Sequence, residues 1–214
     1  MKCSKAIELA SGAVFDTEAP MASTHWWGDP DMDVQAEGFD WPCTDDGMDL
    51  IFLGQVRLED LPRGGELLPS GLLLFFADVD YSLGNMEADS PGIGLWPADA
   101  CRVIYYPAEK LEGLQRVMFL DDGEVCTPRA RQVLINEGGA MGDGVRLLGE
   151  PRCFEWDDWP EPCAGWRLLL QVDSEAAEDY QLRFYDDGLL YFIISEEDLR
   201  TGRFDRVRAF MYSS

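Results

Sequence analysis

The sequence predicts an α+β fold made of duplicated, mostly antiparallel β-sheet halves with few short helices. The main observation is a pattern that occurs twice, in which an apolar run ends in Gln-Val and is followed by a polar gap, a Gly and a second apolar-aromatic run. The first copy covers residues 50–56 and 71–78, and the second covers 167–173 and 188–194. Short strands with turn signals between them and few helical patterns indicate antiparallel pairing.

The distance between the two copies is nearly constant. Gln171 lies 116 residues after Gln55, and the Gly that opens the second run lies 117 residues after its counterpart. So steady an offset indicates a duplicated unit. We therefore expect a single domain over 1–214, with pseudo-repeats at about 16–137 and 145–212.

The first half is predicted to begin with a short helix within residues 1–15, which Gly12 ends. Residues 16–49 are rich in Pro, Gly, Asp and Trp and are predicted to form a long loop over the sheet. Thr127-Pro128 is typical of a helix start, and Gly138-Gly139 of its end. Strands are predicted at 50–56, 72–79, 101–106 and 115–120.

The second half follows a Gly-rich linker at 138–144. Ser195 precedes three acids and is predicted to cap a short helix. The predicted strands are 145–148, 166–172, 181–185, 189–194 and 204–212.

The charge is the strongest global feature of the chain. Lys plus Arg number 17 against 41 Asp plus Glu, which gives a net charge of −24. Such a field repels nucleic acid and anionic membranes and accelerates encounter with basic partners. We therefore expect neither a nucleic-acid nor a membrane partner, although a very soluble protein with solvated carboxylates shows the same balance.

The six cysteines are scattered and form no Cys-x-x-Cys pair, and the chain is 46% hydrophobic, so it can bury a substantial core. This usage favours reduced thiols over a disulfide scaffold. The sequence shows no secretion signal and no apolar run of about 18 residues. We expect a cytoplasmic protein.

The ordered motifs of the chain resemble the YwqG-like family of bacterial proteins. They span roughly residues 28–210 and are Gly28-Asp29-Pro30, Trp41-Pro42, Phe52-Leu53-Gly54-Gln55-Val56, Leu61-Pro62, Leu68-Pro69-Ser70-Gly71-Leu72, Val103-Ile104-Tyr105-Tyr106, Leu147-Leu148-Gly149-Glu150-Pro151, Leu168-Leu169-Leu170-Gln171-Val172-Asp173 and Gly188-Leu189-Leu190-Tyr191-Phe192. The resemblance implies a duplicated α+β fold without established catalytic residues. Members occur near bacterial toxin genes, which implies an immunity role for some of them.

Signals for catalysis or cofactor binding are weak in this chain. His25 is the only histidine, and no cysteine has a recognisable nucleophile context around it. The acids Asp29, Asp31 and Asp33 have the spacing that opens a calcium loop, but the sixth position is Val34 and not Gly, so a solvated acidic loop is favoured. We expect no catalytic residue, no metal and no cofactor.

Two loops that precede the repeated strands interleave Trp with acids. Trp residues are common anchors at protein interfaces, and acids pair with Lys and Arg of a partner. Trp41 and Trp159 are instead expected to cover the two half-cores. The predicted partner-binding residues are Trp26, Trp27, Asp29, Asp31, Asp33, Glu155, Trp156, Asp157, Asp158 and Glu161.

Charge, loops and resemblance together predict a non-catalytic acidic binding protein. The resemblance makes its expected role that of an immunity protein that covers the active site of a basic bacterial toxin, such as a nuclease. The alternative is an enzyme or small-ligand-binding protein that uses the groove between the two halves. The sequence does not distinguish oligomeric states.

Overall fold

The computed structural model of the chain describes residues 5–63, 65–80, 91–121, 124–125, 127–152, 158–185 and 188–213. These residues form seventeen strands, one α-helix and three 3₁₀ helices. The strands are β1 Ile7–Val14, β2 His25–Trp26, β3 Asp31–Met32, β4 Ile51–Arg57, β5 Leu72–Ala77, β6 Gly94–Leu95, β7 Cys101–Tyr106, β8 Gln115–Arg116, β9 Leu120–Asp121, β10 Glu124–Val125, β11 Arg131–Glu137, β12 Arg146–Leu147, β13 Arg167–Asp173, β14 Glu175–Ala176, β15 Gln181–Leu182, β16 Leu189–Ile194 and β17 Arg208–Tyr212. The helices are α1 Glu196–Thr201 and the 3₁₀ segments Leu58–Asp60, Ala108–Gly113 and Phe204–Arg206.

Eleven strands form one antiparallel sheet in the order β6-β17-β16-β13-β12-β1-β11-β2-β4-β5-β7. The expected antiparallel pairing is confirmed, because every ladder between described strands is antiparallel. The α+β label is too broad, since α1 is the single α-helix in the described part of the chain and has six residues. The molecule is mainly a large β-sheet.

The two sides of the sheet have a similar arrangement of strands when they are followed outward from the central strands β1 and β11. On one side come β12, β13, β16 and β17, and on the other β2, β4, β5 and β7. Gln55 lies opposite Leu74 in the first arm, and Gln171 lies opposite Tyr191 in the second. Both ladders skip one residue, two positions before the Gln. The repeated segments therefore hold equivalent places in the sheet, while the boundaries 16–137 and 145–212 remain an interpretation.

The sheet curls so that its two arms pack face to face. Phe75 on β5 and Phe192 on β16 meet edge to face, with ring centroids 5.5 Å apart, and both are fully buried. Each outer face has its own apolar cluster under a loop. Trp41 contacts Phe76 on the first arm, and Trp159 contacts Tyr191 on the second. The expectation that these two Trp cover the half-cores is confirmed.

Two segments that were predicted to be helical are strands instead. The predicted helix within 1–15 is β1, whose Ile7 and Leu9 are buried on one face of a strand. The predicted helix after Thr127 is β11, whose burial alternates with a period of two along most of its length. Because β1 and β11 pair with each other at the centre of the sheet, tertiary pairing outweighs the helix-start signals.

Other predictions need smaller corrections. The strand expected at 115–120 is reduced to β8, which pairs with β3, together with the separate short strand β9. The strand expected at 181–185 is reduced to β15. Asp186 and Asp187, which with Gly188 form a sequence typical of a hairpin turn, lie outside the described residues.

The described cysteines are free thiols, and these are Cys43, Cys101 and Cys163. Cys3, Cys126 and Cys153 lie outside the described residues, so six free thiols remain a prediction. Within the described chain, none of the helices is long and apolar enough to cross a membrane.

Candidate functional site

The outer face of the first arm is covered by an unusually acidic segment, residues 16–49. It contains ten Asp and Glu residues, and no Lys or Arg occurs anywhere between Lys5 and Arg57. The apolar cluster beneath it includes Phe52 and Phe76. The segment therefore covers the apolar side chains of this face and replaces them at the surface with a dense negative charge.

The acidic segment is fixed to the sheet through one buried carboxylate, Asp31. Its side chain is fully buried and accepts hydrogen bonds from Arg116 Nε at 2.7 Å, Gln55 Nε2 at 2.7 Å and the backbone N–H of Ala22 at 2.7 Å. Pairing of β3 with β8 brings Arg116 opposite Asp31. A buried charge is tolerated only when it is paired and hydrogen-bonded, and Asp31 meets both conditions.

His25 lies opposite Gln55 in the same part of the sheet and is fully buried. Its Nδ1 lies 2.8 Å from the carbonyl oxygen of Trp27, so Nδ1 carries the proton and Nε2 does not. Burial lowers the pKa of His25 to about 4, although the nearby Asp31 acts in the opposite direction. The ring is therefore neutral near pH 7.

The second arm repeats this attachment with the opposite charge. The backbone N–H of Asp31 donates to Gln55 Oε1 at 3.1 Å, and the backbone N–H of Arg152 donates to Gln171 Oε1 at 3.1 Å. Asp31 pairs with an arginine, whereas Arg152 lies 2.9 Å from Asp143. The glutamines at equivalent positions thus hold equivalent loops, and the residue that each one holds carries the opposite charge in the two arms.

The longest stretch of the acidic segment with exposed acids is residues 37–49, which we call the exposed acidic loop; residues 16–18, 20 and 21 of the segment are exposed as well. Two large apolar side chains stand among its acids, with Phe39 exposed to 37% and Met48 to 64%. Burial and the charges of Asp46 and Asp99 raise the pKa of Asp78 beside the loop. The exposed acids of the loop are Glu37, Asp40, Asp45, Asp46 and Asp49.

Three of the predicted partner-binding residues lie in the interior. Trp26, Trp27 and Asp31 are exposed to 4%, 3% and 0%, so the expectation that they lie on an exposed face is wrong. Trp26 Nε1 donates to the carbonyl of Leu9 at 3.1 Å, and the Trp27 ring packs against Tyr180. β2 lies between β11 and β4, next to the centre of the sheet, and from there Trp26 reaches β1 and Trp27 reaches Tyr180 in the second half of the chain.

The remaining predicted residues are spread over two loops. Asp29 accepts a 3.3 Å hydrogen bond from Thr127, and burial raises its pKa. Asp33 pairs with Lys110 at 3.0 Å. Asp158 and Glu161 are exposed in the loop over the second arm. Glu155, Trp156 and Asp157 lie outside the described residues, and a partner-binding role for this set remains a prediction.

The calcium-like spacing of Asp29, Asp31 and Asp33 does not assemble a site, because the three carboxylates have different partners. The favoured solvated acidic loop is also wrong for Asp31, which is buried. Across the residues that the structure describes, no group of three or more His, Cys, Asp or Glu is placed to hold a metal ion.

Three recesses stand out on the described surface. A cleft of about 590 Å³ runs beside β7 and is lined by Trp41, Cys43 and Phe204 among others. Adjoining recesses of about 490 and 300 Å³ share Ile7 and Leu148 and lie between the 58–69 segment and the sheet centre.

The sequence analysis did not predict that the exposed acidic loop presents acids together with exposed apolar side chains. The signal was available, because the absence of any Lys or Arg from residues 6–56 shows in the sequence alone. The sequence did not indicate which Trp residues reach the surface, because neighbouring aromatic residues form the same sequence pattern whether they are buried or exposed.

Comparison with known proteins leads to one family. No curated protein matches the chain. The model of a family described as a domain of unknown function (DUF1963) matches residues 27–137 and 127–212, one segment over each arm of the sheet. These matches together cover most of the chain, which therefore belongs to the DUF1963 family.

Proposed function

We propose that the chain is a non-catalytic acidic protein that binds a basic protein partner, and that it acts as an immunity protein for a basic bacterial toxin such as a nuclease. The observation that carries the proposal is the exposed acidic loop, where five acids surround exposed Phe39 and Met48. Charged rims steer association, while apolar side chains at the centre of an interface slow dissociation. The toxin role rests on the YwqG-like resemblance and the charge.

The position of the loop suits a protein that covers another surface. It lies over the outer face of the first arm and is held there by its own Trp41, which packs on Phe76 and whose Nε1 donates to the carbonyl of Leu50 at 2.9 Å. Thr44 further fixes the turn by donating to Asp46 at 2.5 Å. A preformed loop loses less conformational entropy on binding than a disordered one.

The test compares the wild type with two variants that each lose three acids and therefore have the same net charge as each other. One carries Asp40→Asn, Asp45→Asn and Asp49→Asn in the loop, and the control carries exposed-site changes Glu137→Gln, Glu178→Gln and Glu196→Gln. The cognate partner is isolated from the source cell, and its affinity and enzymatic inhibition are measured. We expect the loop variant to bind about tenfold or more weakly, and the control to change affinity by about threefold at most.

Two results would contradict the proposal. Equal weakening by both variants would mean that net charge acts without a defined surface. A purified partner that is not basic, or whose activity is unaffected by the chain, would remove the immunity role.

The alternative function has one observation in its favour. The recess of about 490 Å³ has a mainly aliphatic lining that includes Leu58, Leu61, Leu68 and Leu148. Ligand sites are typically concave and mostly apolar. A small apolar molecule that raises the melting temperature, and loses this effect in Leu148→Trp, would favour a ligand-binding protein.

A further inference from the structure

The two outermost long strands of the sheet, β7 and β17, are equivalent by register. Leu72 and Leu74 lie opposite Tyr106 and Ile104 in the first arm. The counterparts of these leucines in the second arm lie opposite Tyr212 and Phe210. Ile104 therefore corresponds to Phe210, and the residues next to them correspond in turn.

The edge of β17 that faces away from β16 is paired with a short strand from the same chain, β6. Leu95 pairs with Phe210, and the backbone N–H of Trp96 donates to the carbonyl of Ala209 at 2.9 Å. Arg208 completes the contact, because its Nη2 donates to the carbonyl of Trp96 at 2.5 Å. Three features thus hold the added strand, namely a two-residue ladder, a backbone acceptor and an arginine.

The edge of β7 has the matching backbone acceptor and the matching arginine, but no strand is added to it among the described residues. The cleft of about 590 Å³ lies there and is lined by Val103, Ile104 and Tyr105, the counterparts of the three β17 residues that contact the 94–96 segment. Arg102 corresponds to Arg208 and is exposed. Leu95 precedes Ile104 by nine residues, and the residue nine positions before Phe210 is Thr201, which ends α1. The chain after Thr201 packs against β7 through the 3₁₀ segment Phe204–Arg206, with Phe204 against Tyr105, but does not pair with β7 as a strand.

A difference in cysteine exposure agrees with the open edge. Cys163 lies beneath the loop over the second arm and is fully buried, whereas Cys43 in the corresponding loop is half-buried and lines the cleft. The surface that is closed at β17 is therefore open at β7.

We propose that the β7 cleft binds an extended segment of the basic partner, which adds to the sheet as an antiparallel strand in the place that β6 holds on β17. The partner's charge in this proposal rests on the proposed function. The segment pairs with Ile104 and Tyr105, donates a backbone N–H to the carbonyl of Val103 and receives a hydrogen bond from Arg102 on its own carbonyl. Strand addition of this kind takes affinity from main-chain hydrogen bonds and specificity from side-chain pockets.

Charge at the cleft favours a basic segment over a neutral one. Asp40 and Asp205 lie in the wall, and the exposed acidic loop continues from Asp40. Arg102 is the single cation among the described residues that line the cleft, and under this proposal it donates a hydrogen bond to a carbonyl of the bound segment. Lys or Arg residues at the ends of the bound segment therefore lie next to carboxylates.

The probe is a synthetic peptide with the sequence of residues 92–97, Gly-Ile-Gly-Leu-Trp-Pro, flanked by two Lys on each side. One control peptide has Glu flanks, and a second has a methyl group on the backbone nitrogen of its Trp. Binding is measured by calorimetry, and the site is located by amide hydrogen exchange. We expect the Lys-flanked peptide to slow exchange at the Tyr105 amide, and the methylated peptide to bind about tenfold or more weakly, because it lacks one main-chain donor.

Two protein variants complete the test. Arg102→Ala should weaken the peptide by about threefold to tenfold, as expected for one lost hydrogen bond, while Arg63→Ala at the other recess should leave affinity unchanged. Cys43→Trp should fill the cleft and block binding. The Cys43 thiol should also react more slowly with iodoacetamide when the peptide is bound.

The outcomes separate this proposal from the proposed function. Equal affinity of the methylated peptide, protection at Met211 in place of Tyr105, or self-association of the chain through β7 in light scattering would overturn strand addition by a partner. Equal binding of the Glu-flanked and Lys-flanked peptides would overturn the basic partner. A basic toxin that binds Cys43→Trp as tightly as the wild type would leave the proposed function standing and overturn the strand-addition site.

Discussion

At the scale of single residues, Asp31 carries the attachment of the acidic segment. Asp31→Ala leaves the mostly buried Arg116 guanidinium, whose side chain is 15% exposed, without its carboxylate and removes the acceptor for Gln55 and Ala22. Breaking a buried ion pair on one side costs about 3–5 kcal/mol. We expect a loss of this size in the free energy of unfolding, measured by urea denaturation.

A matched control exists at the exposed pair of the same segment. Lys110→Ala breaks the Asp33 pair, in which the Lys110 side chain is 56% exposed, so solvent screening should keep the loss in unfolding free energy well below that of Asp31→Ala. Similar losses from both changes would mean that Asp31 is not the attachment point.

His25 gives the fold a pH dependence of known sign. Its folded pKa of about 4 lies below the ordinary value of 6.5, so below pH 6.5 the unfolded chain binds a proton that the folded chain does not. The contribution of neutral His25 to stability is thus present above pH 6.5 and is lost as the pH falls through 4. This loss amounts to up to about 3 kcal/mol.

The measurement is the difference in unfolding free energy between the wild type and His25→Asn across this pH range. Asn keeps a donor near the position of Nδ1, which donates to the Trp27 carbonyl. Titrating carboxylates act on both proteins and cancel in the difference. Parallel curves would contradict a neutral buried imidazole.

At the scale of elements, the close approach of β2 and β4 depends on Gly54. A Cβ at this position would lie 2.0 Å from the Trp26 ring and 2.7 Å from the carbonyl oxygen of His25. Gly54→Ala must therefore displace the ring or the strand, and we expect a loss of about 1–3 kcal/mol or more in unfolding free energy. Gly113→Ala meets nothing within 4 Å and should stay within about 0.5 kcal/mol of the wild type.

The elements also show how far the fold follows from sequence. Four strands were predictable because each is a buried apolar run, and such a run indicates a strand before any long-range pairing is known. These strands are β4, β5, β13 and β16. β1 and β11 were not, since local signals favoured helices. Leu134 on β11 is 55% exposed, so its apolar side chain does not mark a buried face.

The candidate site was less predictable than the fold for a physical reason. Trp26 and Asp31 stand in an acidic, loop-like stretch, and only the pairing of β2 with β4 and of β3 with β8 places them inside. Net charge and the lack of cations over residues 6–56 needed no structure. The cleft at β7 becomes meaningful only when the two sheet edges are compared.

At the scale of the whole molecule, a net charge of −24 should govern how fast a basic partner arrives. The field extends about 8 Å at physiological ionic strength and about 30 Å at 0.01 M salt, so raising salt should slow association steeply. Dissociation depends on desolvated central contacts and should change much less.

Stopped-flow measurements with the isolated partner across a salt series test both effects through separate substitutions. The triple Asp→Asn variant of the exposed acidic loop should associate more slowly and show a weaker salt dependence, because it lacks part of the local field.

Phe39→Ala and Met48→Ala should associate at the wild-type rate, since neither changes charge. If Phe39 and Met48 are anchors, these variants should dissociate about thirtyfold faster, which corresponds to about 2 kcal/mol. A salt-independent association rate would exclude steering by the acids. Unchanged dissociation in both apolar variants would place the centre of the interface outside residues 37–49, and the β7 cleft, which adjoins Asp40, would be the next surface to test.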